Sequence, residues 1–115
     1  MRTATILTVL AVLTVLLPAQ TSLVEYTAGQ SALGKAAYDQ ACLSCHGRNL
    51  DDGQFAPALR GAGFNRNWAG GTVADLVAYM STKMPPASPG SLSAASYAQI
   101  AAYVMQSNGI APGVR

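Results

Sequence analysis

The stretch Cys42-Leu43-Ser44-Cys45-His46 is the most informative part of this 115-residue sequence. It contains both cysteines and the only histidine of the chain. Because no other cysteine or histidine is present, a zinc site built from four such ligands is excluded, and so is a scaffold of several disulfides. Any chemistry that depends on a thiol or an imidazole must therefore take place at this motif.

The Cys-x-x-Cys-His spacing is typical of covalent attachment of c-type haem. Two thiols three residues apart can add to the two vinyl groups on one edge of a haem, and the imidazole that follows can reach the iron from one face. The motif therefore predicts one haem c with its iron, held by Cys42, Cys45 and His46.

Three other interpretations of the motif are weaker. A dithiol redox motif normally accompanies a βαβ pattern, and this sequence shows no alternating strand pattern. A zinc site would lack its fourth ligand. A disulfide between Cys42 and Cys45 would close a loop too short to add much stability.

The N-terminal segment predicts a cleaved secretory signal over residues 1–19. After Arg2, mostly apolar residues run to Leu17, a length that suits the core of a signal peptide, about 7–15 residues, better than a membrane span of about 20. Ala19 suits a cleavage position, although Leu17 stands where a small residue is preferred. An uncleaved anchor and a buried core helix are the alternatives. Cleavage would leave one domain, residues 20–115, in the periplasm or secreted.

Composition excludes some classes of function. Charged residues make up 10% of the chain and the net charge is +2, with no basic cluster, so nucleic-acid binding is not indicated. Apolar periodicity and capping signals predict an all-α domain with three helices and no strands. Residues 20–29 are expected to form a short leader, and the helices are expected at residues 31–42, at about 72–82, and from Ser93 to Asn108-Gly109.

Glycine and proline predict long loops at residues 47–71 and 83–90. The middle third of the domain is then loop, and ordering each residue costs about 1–2 kcal/mol of backbone entropy. Three short helices offer little apolar surface to offset that cost, so a large prosthetic group is expected to complete the core.

The sequence resembles a class I c-type cytochrome from Thr27 to Gly109. Three segments carry the resemblance: Gly34–Tyr38 with the haem motif and Gly47; Ala56-Pro57-Ala58-Leu59-Arg60-Gly61; and Met84–Ser93 with Tyr97 and Ala102-Tyr103-Val104. The third segment is similar to small cytochromes and cytochrome domains that accept electrons from quinoprotein alcohol dehydrogenases. The resemblance implies the class I cytochrome c fold, with three main helices and long loops wrapped around one covalent haem.

The second axial ligand of the iron has to be chosen among several groups. No second histidine exists, so the candidates are methionine, water, lysine, tyrosine, the chain N-terminus, or no ligand. Met80 and Met105 fall in apolar helical stripes and are expected in the core. Met84 lies outside every stripe, and Pro85 disfavours helical geometry at the residue before it. The resemblance implies that Met84 is the distal ligand, opposite His46.

The resemblance also implies roles for residues around the haem. The Pro57 carbonyl would accept the other N–H of His46, with a simple turn proline as the alternative. Gly34 and Tyr103 match the positions where the first and last helices cross. Apart from the resemblance, Trp68 is the best candidate donor to the haem propionates, because its indole N–H needs a partner. Arg60, Arg66 and Asn67 are the other candidates, and a solvated loop residue is the alternative for each. Phe64 and Tyr79 are expected to pack in the haem pocket.

The function that follows is a one-electron carrier and not an enzyme, cycling between Fe(II) and Fe(III) with no catalytic residues. Its expected partners are a redox protein donor and acceptor, such as a quinoprotein dehydrogenase and a terminal oxidase, with membrane contact only if the signal is uncleaved. The alternatives are a small haem subunit of a dehydrogenase or oxidase complex, a peroxidase, and a redox or gas sensor with a labile Met84.

Overall fold

The computed structural model describes residues 26–113, and the regular structure in this range is entirely helical. The helices are α1 (Ala28–Ala41), α2 (Leu43–His46), α3 (Gly61–Trp68), α4 (Val73–Lys83) and α5 (Ala94–Ser107). The prediction of an all-α fold without strands is confirmed for these residues. None of the helices between residues 26 and 113 is long and apolar enough to cross a membrane. The predicted signal over residues 1–19 lies outside the described residues.

Helix α1 begins earlier than predicted, at Ala28. The hydroxyl of Thr27 accepts a hydrogen bond from the Gln30 main-chain N–H at 3.0 Å, and the Gln30 side chain accepts one from the Thr27 N–H at 2.9 Å. This reciprocal capping box satisfies two of the N–H groups that a helix start leaves without partners. Residues 27–29 are therefore the first turn of the helix and its cap, and the predicted leader is too long at its C-terminal end.

Tyr26, which falls in the predicted leader, is buried in the folded domain. Its hydroxyl donates to the carbonyl of Ile110, and its own carbonyl accepts from the Gly113 N–H at 2.9 Å. These bonds join the start of the described chain to its end.

Helices α1 and α5 cross at Gly34, as predicted. A β-carbon on Gly34 would overlap the main-chain carbonyl of Gln99 and would lie 3.0 Å from the β-carbon of Tyr103. The rings of Tyr38 and Tyr103 pack beside this contact with centroids 5.4 Å apart. Leu33, on another side of α1, is 57% exposed. The glycine lets the two backbones approach so closely that α5 covers the Gly34 side of α1.

Helix α3 occupies part of the segment 47–71 that was predicted as loop. The side chain of Asn108, at the end of α5, accepts from the Gly61 N–H at 3.0 Å and donates to the Leu59 carbonyl at 2.9 Å. Phe64 of α3 is buried in the core. Glycine disfavours a helix locally, but these tertiary contacts supply a cap and an apolar anchor that stabilise α3.

Helices α4 and α5 lie close to their predicted positions. Thr72 caps α4 by accepting from the Asp75 N–H at 3.1 Å, and the Asp75 carboxylate accepts from the Thr72 N–H at 2.8 Å. Ser93 caps α5 by accepting from the Ser96 N–H at 3.1 Å. The chain leaves α5 at Gly109, which has a φ of +81°.

The apolar core is centred on α5 and lies between this helix, α1 and α4. Helix α5 contributes half of the core side chains: Tyr97, Ile100, Ala101, Ala102, Val104 and Met105. Met80 of α4 is buried in the same core. The expected core positions of Met80 and Met105 are therefore confirmed.

Candidate haem-binding site

The Cys-x-x-Cys-His motif is wound into one helical turn directly after α1. The Cys42 N–H donates to the Tyr38 carbonyl at 2.8 Å, and the His46 N–H donates to the Cys42 carbonyl at 2.9 Å. In such a turn, residues three and four apart are neighbours on the same surface. This turn therefore places Cys42 and Cys45 on the same surface. His46 directly follows Cys45 in the sequence.

The His46 ring is oriented by a main-chain carbonyl. His46 is buried, and its Nδ1 atom lies 2.9 Å from the Pro57 carbonyl oxygen. A carbonyl oxygen can only accept, so this bond requires the proton on Nδ1 and leaves the lone pair on Nε2. The hydrogen bond that the resemblance implied is present, and it is the usual support for a histidine that ligates a metal through its other nitrogen.

The loop after the motif packs tightly against it. A β-carbon on Gly53 would overlap the main chain of Cys45 and His46. At the other end of the same loop, Gly47 has a φ of +90°, and its carbonyl accepts from the buried Tyr38 hydroxyl at 2.7 Å. The motif is consequently fixed from α1 on one side and from its own loop on the other.

Cys42 and Cys45 are both free thiols and half-buried. Burial, followed by the nearby Cys45 sulfur, raises the pKa of Cys42 to about 11. Dithiol redox motifs depend on a lowered thiol pKa, so the surroundings of Cys42 argue against that role.

Met84 leaves the helical geometry of α4, as predicted from Pro85. Its φ of −119° and ψ of 147° are extended, its N–H donates to the Met80 carbonyl at 2.9 Å, and the Met84–Pro85 peptide bond is cis. Of the methionines between residues 26 and 113, Met84 is half-buried, whereas Met80 and Met105 are buried in the core.

Trp68 lies in an aromatic cluster at the end of α3. Its ring centroid is 6.5 Å from that of Phe64 and 5.5 Å from that of Tyr79, the latter in an edge-to-face arrangement. The other candidate propionate donors are more exposed than half-buried Trp68. Arg66 and Asn67 are exposed on α3, and the Arg60 guanidinium lies 3.8 Å from the Asp51 carboxylate.

A cavity of about 600 Å³ opens between α3, the first half of α4 and the end of α5. This volume falls within the range of small-molecule pockets, about 300–1,000 Å³. Phe64 and Trp68 line it, whereas Cys42, Cys45, His46 and Met84 do not. The other lining residues are Asn65, Ala69, Gly71, Thr72, Val73, Ala74, Leu76, Met105 and Ile110. The three helices thus leave apolar volume that their own side chains do not fill.

Two residues near the predicted ligands were missed from the sequence. The Tyr97 hydroxyl donates to the Met84 carbonyl at 2.7 Å, and the Tyr38 hydroxyl donates to the Gly47 carbonyl beside the haem motif. A buried tyrosine usually needs a hydrogen-bond partner for its hydroxyl, and this requirement was the available signal.

The donor set fits haem c: two neighbouring free thiols, an imidazole with Nε2 available, and a thioether placed outside the helices. No curated protein and no solved structure matches the chain significantly. The model of the family described as cytochrome c oxidase, cbb3-type, subunit III matches residues 29–104, more than half of the 115 residues. The chain therefore belongs to this family of c-type cytochromes and carries covalently bound haem c with its iron.

Proposed function

We propose that the protein is a periplasmic one-electron carrier whose haem iron is ligated by His46 and Met84. One observation supports this ligation above the others. Both residues are held by hydrogen bonds. The His46 ring bonds the Pro57 carbonyl at 2.9 Å. The Met84 N–H donates to the Met80 carbonyl of α4, and the Met84 carbonyl accepts from the Tyr97 hydroxyl of α5. The periplasmic location rests on the predicted signal peptide over residues 1–19.

The chemistry follows from the two ligands. Haem iron, when bound, supplies the Fe(II)/Fe(III) couple. His46 and Met84 together would fill both axial positions, which leaves no open position for O₂ or peroxide. The soft, neutral thioether of Met84 favours the reduced state relative to a second imidazole and raises the reduction potential. The protein thus restricts the site to gaining and losing one electron. Trp68 is proposed to donate its indole N–H to a haem propionate.

The partners we propose are redox proteins. The similarity of Met84–Ser93 to cytochromes that serve quinoprotein dehydrogenases supports such a dehydrogenase as the donor. A terminal oxidase as the acceptor is in keeping with the description of the family, which is that of an oxidase subunit.

The same description favours a second candidate function, a haem subunit of an oxidase complex. Purification from the native membrane and periplasmic fractions distinguishes the two. A free carrier elutes at the size of one small chain, whereas a subunit remains with the complex under mild detergent and elutes with it.

The absorption spectrum of the purified holoprotein tests the proposed ligation. A carrier with His46 and Met84 as ligands gives a low-spin ferric spectrum with the weak sulfur-to-iron band, and its reduced form binds CO slowly. A high-spin ferric spectrum with rapid CO binding after reduction would contradict the proposal and favour a peroxidase or a gas sensor.

A further inference from the structure

We propose that Tyr97 is a positioning residue that holds Met84 in place as a ligand, through a hydrogen bond from its hydroxyl to the Met84 carbonyl. The inference rests on the proposed function, in which Met84 is the distal ligand. In this role the Tyr97 hydroxyl, on α5, controls how readily Met84 dissociates from the iron.

The Tyr97 hydroxyl joins both ends of the segment from Met84 to Leu92. It donates to the Met84 carbonyl at 2.7 Å and accepts from the Leu92 N–H at 3.4 Å. The Gly90 N–H also donates to the Met84 carbonyl, at 3.3 Å. Tyr97 is 3% exposed, so water has little access to its side chain. The loop that begins with Met84 is therefore closed on a buried hydroxyl of α5.

Anchoring the Met84 carbonyl also constrains its side chain. The Met84 N–H is already held by the Met80 carbonyl at 2.9 Å. With one bond before its α-carbon and another after it, both peptide units of Met84 are fixed, and so is the direction of its β-carbon. A methionine side chain has three rotatable bonds and few preferences of its own. The position of its sulfur consequently depends on how firmly the backbone is held.

Tyr38 provides a matched control for this role. It is fully buried in α1, and its hydroxyl donates to the Gly47 carbonyl at 2.7 Å. Tyr38→Phe and Tyr97→Phe thus each remove one buried tyrosine hydroxyl that bonds a main-chain carbonyl, and each keeps the ring. They differ in location, because one carbonyl follows His46 and the other belongs to Met84.

The experiment compares the holoprotein with its Tyr97→Phe, Tyr38→Phe and Met84→Ala variants. The probe is imidazole, which competes with the methionine sulfur for ferric iron, and the sulfur-to-iron band reports the outcome. We expect Tyr97→Phe to bind imidazole about fivefold more tightly, the factor that corresponds to one neutral hydrogen bond. Tyr38→Phe should stay within about twofold of the wild type.

A second measurement removes the effect of global stability. For each protein, the temperature at which the sulfur-to-iron band disappears is compared with the temperature at which the helical circular dichroism is lost. Tyr97→Phe should widen the gap between the two temperatures, because Met84 dissociates before the helices unfold. If Tyr97 only packed in the core and did not position Met84, both temperatures would fall together in Tyr97→Phe, as we expect for Tyr38→Phe.

Equal imidazole affinity and an equal temperature gap in the two phenylalanine variants would overturn the inference. If the wild type shows the band and Met84→Ala abolishes it, that result leaves the proposed ligation intact. If the wild type lacks the band and binds imidazole as tightly as Met84→Ala, the proposed function fails together with the inference.

Discussion

Gly34 of α1 faces the main-chain carbonyl of Gln99 in α5 so closely that no β-carbon fits between them. We expect Gly34→Ala to destabilise the protein by about 1–3 kcal/mol, the usual cost of overpacking, because the new β-carbon would overlap main-chain atoms of Gln99, which cannot move aside as a flexible side chain could. Urea unfolding monitored by helical circular dichroism measures this cost.

Gly29→Ala is the control for this prediction. Gly29 lies in the same helix and is exposed, and its added β-carbon would meet only the Thr27 hydroxyl, at 3.8 Å. Replacing an unstrained helical glycine by alanine stabilises by about 0.4–1 kcal/mol. Equal effects of the two substitutions would show that helix propensity, and not the crossing with α5, determines the result.

The contrast between Met84 and Met80 distinguishes the proposed ligand from a core methionine. Met84→Leu should lower the reduction potential, abolish the sulfur-to-iron band and let the reduced iron bind CO. Met80→Leu should keep the band and cost less than about 1.5 kcal/mol, because it conserves volume in the core. Potentiometric titration and the ferric spectrum provide the test, and loss of the band in Met80→Leu alone would reverse the assignment.

Acid should weaken the start of α4 through Asp75. The hydrogen bonds from Thr72 hold the pKa of this carboxyl below its ordinary value. A lowered pKa in the folded state stabilises at pH values above the unfolded pKa of about 3.9, and this contribution is lost as pH falls through the folded value. Unfolding free energies at neutral and acidic pH should therefore differ less in Asp75→Asn than in the wild type. The same difference in both proteins would contradict this assignment.

Docking to redox partners should depend little on salt. Steering by lysines weakens strongly with ionic strength, but this chain has only two lysines. Lys35 is paired with Asp39 at 2.7 Å, while Lys83 is exposed beside Met84. Between low and physiological salt, where the Debye length falls from about 30 to about 8 Å, the second-order electron-transfer rate with the native partner should change less than about tenfold. A larger fall would show that charge steers the encounter.

Local sequence signals predicted the features that depend on neighbouring residues. The start of α5 at Ser93 and the exit of Met84 from α4 were predicted correctly, because each depends on residues within a few positions of one another. The Gly34 crossing came from the resemblance to a known family.

Features that depend on distant residues were missed. Helix α3 was not predicted because two glycines stand in its first turn. The Asn108 side chain that caps it is 47 residues away from Gly61 in the sequence. The hydroxyl partners of Tyr38 and Tyr97 were missed for the same reason. Apolar periodicity indicates that such a ring is buried, but it does not say which carbonyl the hydroxyl reaches.

Extraction of the purified holoprotein with acidic acetone tests the central claim most directly, namely that Cys42 and Cys45 attach one haem to the chain. We predict that the haem stays with the protein, that intact-mass measurement finds one haem per chain, and that replacing both cysteines by alanine abolishes a stable holoprotein. Haem that passes into the acetone from the wild type, or an equally abundant double-alanine holoprotein, would contradict covalent attachment at this motif.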